Sequence, residues 1–148
     1  MRWQKIFHIA CTCLLALLMG GCVTLPEASY KMYLGPMRPA SELSILHLGD
    51  AHAARIDERV VHRSDWSDVQ LMPGKYTIDW GHEFMVSTMI APSGFMSRGY
   101  EATVVLEPGH VYTLKADRTT ADILGSIRFY FWIYDETTRH IIAGTPKP

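Results

Sequence analysis

Past residue 40 the chain predicts an all-β fold, a small antiparallel β-sandwich, from three observations. Apolar residues recur with period two in several short segments, turn residues separate those segments, and no long amphipathic helical pattern interrupts them. Residues 44–48 and 53–57 are expected strands, with Gly49-Asp50 marking the turn between them. Shorter alternations at 60–63 and 69–72 add two more. In 75–80, Tyr76, Ile78 and Trp80 share one face while Lys75, Thr77 and Asp79 share the other, the pattern of a strand with one dry side. Residues 101–106 alternate in the same way, and Tyr112, Leu114 and Ala116 oppose Thr113 and Lys115. The stretch 127–134 is bulky on both sides, with Phe129, Phe131 and Ile133 against Tyr130 and Trp132, so it is expected inside a sheet and partly covered on both faces. A last strand over 139–143 returns after a turn at Asp135-Glu136-Thr137-Thr138. A brief turn at Ser41-Glu42-Leu43 and a short helical connection over 119–124 complete the expected elements.

The beginning of the chain has a different character. Arg2 and Lys5 precede an apolar run over 6–19, which ends in Gly20-Gly21-Cys22. That run is shorter than the roughly 20 apolar residues needed to cross about 30 Å of hydrocarbon. A positive start, a short apolar core and small residues before a cut are instead the parts of a cleaved export signal. Met19-Gly20-Gly21-Cys22 resembles the lipobox of bacterial lipoproteins. The resemblance implies cleavage between Gly21 and Cys22, with covalent lipid on Cys22 as the only non-protein group. Val23 and Thr24 follow the cysteine where an inner-membrane lipoprotein tends to carry Asp, so the resemblance implies the periplasmic face of the outer membrane.

Three regions follow: a signal peptide over 1–21, a lipidated N-terminus and tether over 22–40, and a sandwich domain over 41–148. Pro26, Pro36 and Pro39, with Gly35, disfavour continuous helix or sheet in the tether, because proline lacks an amide donor and fixes its own φ. About 18 extended residues at roughly 3.3 Å each would reach on the order of 60 Å. Tyr30, Met32, Tyr33 and Leu34 are apolar enough for part of that segment to pack on the domain. Cys11 and Cys13 would leave with the signal, so acylation of Cys22 leaves neither a free thiol nor a disulfide. Loss of Arg2 and Lys5 from 14 basic and 15 acidic side chains leaves 12 against 15, which argues against nucleic acid as a partner.

Two segments look alike. Leu71-Met72-Pro73-Gly74-Lys75-Tyr76-Thr77-Ile78 can be laid over Leu106-Glu107-Pro108-Gly109-His110-Val111-Tyr112-Thr113-Leu114, with one residue inserted in the second. In each, Pro-Gly makes a turn and a Tyr-Thr-aliphatic strand follows. The first copy resembles the strand start of PEGA and transthyretin-like sandwich modules, and with the lipobox and tether it resembles short bacterial lipoproteins. That resemblance implies a fold and a location, and it carries over no catalytic residue.

Candidate chemistry is sparse. His47, His52, His62, His82, His110 and His140 remain in the mature chain, and none forms a His-x3-His pair. His47 and His52 flank the expected turn with Asp50 between them, the one place where a zinc or copper site is conceivable. Ser64-Asp65-Trp66-Ser67-Asp68 reads as a polar loop around one aromatic, without a Gly-x-Ser-x-Gly elbow or a legible base. Asp57 and Glu58 adjoin, so on a strand they face opposite ways. The stretch 82–100 holds Phe84, Met85, Met89, Phe95 and Met96 around Pro92-Ser93-Gly94. Its 84–90 part is expected in the core, and the 92–96 tip is the candidate exposed patch for an apolar partner, carried by Phe95 and Met96 with Met89. No catalytic residue, metal or cofactor beyond the lipid is assigned. The expected role is a non-enzymatic envelope lipoprotein that binds or supports an envelope protein or a cell-wall component. The alternatives are a periplasmic ligand- or metal-binding lipoprotein and, last, a small periplasmic hydrolase.

Overall fold

The computed structural model describes residues 29–86, 94–120 and 126–148. Within them the period-two segments form the strands β1 (Ser29–Lys31), β2 (Ser44–His47), β3 (Ala53–Ile56), β4 (Arg59–His62), β5 (Asp68–Leu71), β6 (Gly74–Val86), β7 (Gly94–Leu106), β8 (Val111–Thr120), β9 (Ile127–Asp135) and β10 (His140–Gly144). One turn of 3-10 helix, Ala40–Glu42, stands just before β2. The strands pair into a six-stranded sheet, ordered β1-β5-β2-β8-β9-β10, and a four-stranded sheet, ordered β4-β3-β6-β7. The protein is therefore an all-β sandwich, with the core between the sheets.

The inward phase of each strand supplies that core. Leu46, Val69, Leu71, Tyr112, Leu114, Phe131 and Ile133 from the larger sheet meet Ala54, Ile56, Val61, Ile78, Trp80, Val104 and Leu106 from the smaller one. Full burial of such a side chain stabilises the fold by roughly 1.5–3 kcal/mol, which fixes the register of every strand that contributes one. Trp80 is 1% exposed and stands edge-on to Tyr100 and Phe131, with ring centroids at 5.2 and 6.4 Å. The rings of Tyr100 and Phe131 lie parallel at 6.3 Å, so one aromatic cluster joins β6, β7 and β9 across the sandwich. Tyr130 is also buried, as expected for a strand covered on both faces.

Several expectations need adjustment. Two pairings, β1 with β5 and β2 with β8, are parallel, while the hairpin pairings are antiparallel. A parallel pair needs a long crossover, and β2 and β8 are separated in sequence by the whole smaller sheet, so no tight turn dictates their relative direction. The segments 75–80 and 101–106 are the base of a longer hairpin, in register from Gly74 opposite Leu106 to Val86 opposite Gly94. Thr119 and Thr120 continue β8 instead of starting a helical connection, and the remainder of 119–124 lies outside the described residues. Ser29–Lys31, expected in the tether, is an edge strand of the larger sheet, and Tyr30 and Met32 pack against the core. Leu34, by contrast, is 92% exposed.

Both Pro-Gly segments turn out to be corners where the chain changes sheets. The first leads from β5 into β6, the second from β7 into β8. In the first, the Tyr76 hydroxyl donates to the Met72 carbonyl at 2.8 Å; in the second, the Glu107 amide donates to the Tyr112 hydroxyl at 2.9 Å. Each tyrosine thus reaches back across its own turn to a backbone group, in the manner of the tyrosine corner of other sandwiches.

Candidate functional site

The outer face of the larger sheet carries the polar phase of its strands. His47 is out of step with the buried Leu46 and Leu48, Asp68 with Val69 and Leu71, and Thr113 with Tyr112 and Leu114. Alternation therefore points all three outward. Register then sets them side by side on neighbouring strands, His47 opposite Asp68 on β5 and opposite Thr113 on β8. His47 Nδ1 and Asp68 Oδ1 are 2.5 Å apart, and the Thr113 hydroxyl donates to Glu136 Oε1 at 3.0 Å.

Two loops raise walls around this row. Beyond β2, Ala51 N–H donates to the Leu48 carbonyl and closes a turn whose Gly49 has φ 52°. A Cβ at Gly49 would stand 2.3 Å from the Leu114 carbonyl oxygen and 2.8 Å from Thr113 Cγ2, so only glycine lets the turn lie this close to β8. On the other side, the Ser67 carbonyl accepts from Leu48 N–H, which ties the loop between β4 and β5 to the same turn. The result is an open depression of about 330 Å³ lined by His47, Gly49, Arg63, Ser67, Asp68 and Thr113. The His47 ring and the Asp68 carboxylate are both partly accessible from it.

A second histidine–carboxylate pair lies farther along β8 and β9. His110 Nδ1 is 2.8 Å from Asp135 Oδ2, and the other oxygen of Asp135 accepts the amides of Thr137 and Thr138 at 2.9 and 3.1 Å. Burial raises the Asp135 carboxyl, but bonds from His110, Thr138 and Thr137 outweigh it and hold the group below the ordinary aspartate range. This pair closes the turn between β9 and β10, and Asp135 is 3% exposed, so it is part of the framework and not of the depression.

The residues singled out in the sequence fall in different places. Gly21, Cys22 and Met89 lie outside the described residues. Phe95 and Met96 lie on β7, in register with Met85 and Phe84 of β6. The zinc or copper arrangement of His47, Asp50 and His52 is not formed. His47 ends β2 in the larger sheet and is bonded to Asp68, whereas His52 immediately precedes β3 in the smaller one. Asp50 uses its carboxylate to accept the Ala116 amide at 3.2 Å. Among the described residues no group of three His, Cys, Asp or Glu side chains is placed to hold a metal ion.

No family model, no curated protein and no solved structure matches this chain. Its chemistry therefore rests on its own residues. The segment 64–68, read in the sequence as a polar loop with no partner base, supplies Ser67 and Asp68 to a site where Asp68 orients an imidazole. Sequence reasoning also passed over Arg63 and Thr113. The available signal was the outward phase of His47, Asp68 and Thr113; the pairing that brings them together is a property of the sheet.

Proposed function

We propose that this chain is a non-enzymatic lipoprotein of the bacterial cell envelope. Lipid on Cys22 holds it at the periplasmic face of the outer membrane, and its sandwich binds or supports an envelope protein or a cell-wall component. The observation that carries the reading is the order of Arg2, Lys5, the apolar 6–19 run and Gly20-Gly21-Cys22, with the first described strand starting seven positions after the cysteine. The expected span of about 60 Å shrinks accordingly, since seven residues at roughly 3.3 Å each put that strand within about 23 Å of Cys22 at most. A sandwich so placed stays at the lipid surface, where anchoring raises its local concentration toward membrane-associated partners. Each buried methylene of the acyl chains contributes roughly 0.8 kcal/mol, so two or three chains hold firmly. The PEGA-like strand start and the sandwich fold support a binding module over an enzyme.

One observation favours the ligand-binding alternative within the same setting, namely the depression around His47. The anchoring itself is tested by a Cys22→Ser variant of the full-length protein. The wild type is expected to take up radiolabelled palmitate and to sediment with membranes. The variant should lose the label and accumulate as an uncut precursor. A variant that is trimmed normally and stays as tightly with the membrane fraction would overturn the proposal.

A further inference from the structure

The depression on the larger sheet carries an inference that stands on its geometry and does not depend on membrane attachment. We propose that it binds a small oxyanion, a carboxylate or a phosphate, between the Arg63 guanidinium and Nε2 of His47.

The charges around the depression are unevenly satisfied. Asp68 is already bonded to His47 Nδ1, and Glu136 is engaged by the Thr113 hydroxyl. Arg63 lines the same depression, and its guanidinium has no hydrogen-bond or ion-pair partner among the described residues. Arg38, Arg55 and Arg98 are occupied, by Glu42, by Asp79 and by the Phe129 ring, and none of them lines the depression. Arg63 is therefore a cation at the depression with its fork of donors unused, the group that suits a planar carboxylate or a phosphate.

His47 supplies the second contact. Its Nδ1 is held by Asp68, so the ring is fixed in orientation, and Nε2 has no partner among the described residues. Asp68 engages Nδ1, so Nε2 is the ring nitrogen left for a ligand. An anion seated between Nε2 and Arg63 then meets both basic groups, while Asp68 stays on Nδ1 and Glu136 on the Thr113 hydroxyl. The space of about 330 Å³ accommodates a ligand the size of an amino acid. A fixed imidazole and an unpaired guanidinium at an opening of this size form a recognition site for oxygen-rich anions.

The experiment follows the His47 ring signals by NMR in full-length protein, held in a polyoxyethylene detergent. Sodium acetate, inorganic phosphate and glucose are titrated in turn at constant ionic strength and constant pH. Saturable shifts of the His47 ring with acetate, with phosphate or with both are expected, and the relative affinities separate the carboxylate from the phosphate. Arg63→Gln should weaken that binding by about tenfold or more, as expected for loss of a charge-assisted contact. Arg59→Gln, which removes an exposed charge from β4 outside the depression, should leave it unchanged. Arg63 is exposed, so its substitution leaves the core intact, and an unchanged urea midpoint confirms that the variant is folded. Three results would overturn the proposal: no saturable shift with either anion, equal weakening by the two arginine variants, or a response to glucose alone.

Discussion

Asp135 shows how much a single side chain can hold in this fold. It accepts two amides of the turn that follows it and the His110 ring, and it lies almost wholly out of solvent. Its carboxyl is pushed up by burial and pulled down further by those bonds, so it ends below its unfolded value. A group depressed in the folded state contributes stability that is fully present above the ordinary value of about 3.9 and is lost as pH falls through the folded value. Urea midpoints measured at pH 7, 5 and 3 should therefore drop at the acid end. Asp135→Asn should be less stable at pH 7 by about 1–3 kcal/mol, because one charged acceptor is lost from a buried network. Its acid loss should also be shallower; a variant with the same acid dependence as the parent would assign that dependence elsewhere. The sequence showed the turn at 135–138 but not the histidine that completes it, since His110 lies 25 positions away.

Among the elements, the two Pro-Gly corners are the clearest case of a motif read correctly in one respect and incompletely in another. Their likeness was visible residue by residue, including the tyrosine two or three positions after the glycine. That both are crossings between sheets, with the tyrosine hydroxyl bonded to the backbone upstream, became visible only in the fold. Burial raises the Tyr76 hydroxyl, helped by the Asp57 charge. Burial also raises Tyr112, where the charges of Asp135 and Glu107 add to it and the Glu107 amide opposes it. A raised folded value means that stability is fully present below about 10 and is lost as pH climbs, because the unfolded chain ionises first. Tyr76→Phe and Tyr112→Phe should each cost about 1 kcal/mol at neutral pH, the worth of one hydrogen bond. Each should also flatten the decline in urea midpoint above about pH 10. If neither substitution changes the midpoint, the corner bonds do not stabilise the crossings.

At the scale of the whole molecule the boundary of the domain moves toward the N-terminus. β1 pairs with β5, and the Tyr30 ring lies 5.6 Å from that of Trp66, so a stretch expected as tether closes one edge of the larger sheet. Tyr30→Ala should lower stability by about 1–3 kcal/mol, the effect of removing a partly buried aromatic from a packed edge. A free tether would give no change in urea midpoint, and that result would return the boundary to residue 41.

By itself the sequence determined the fold class, most of the strands and the two faces of the clearest ones, because period-two alternation is local and a buried face tolerates no slip of register. Tyr76, Ile78 and Trp80 or Tyr112 and Leu114 needed no partner to declare their side. It placed His47 beside a turn and Asp68 in a polar loop, with no relation between them. Only the tertiary structure decided that they meet, that Arg63 joins them, and that β2 runs parallel to β8. Those outcomes depend on which strands pair across long stretches of chain, and local periodicity carries no information about a neighbour 21 residues away.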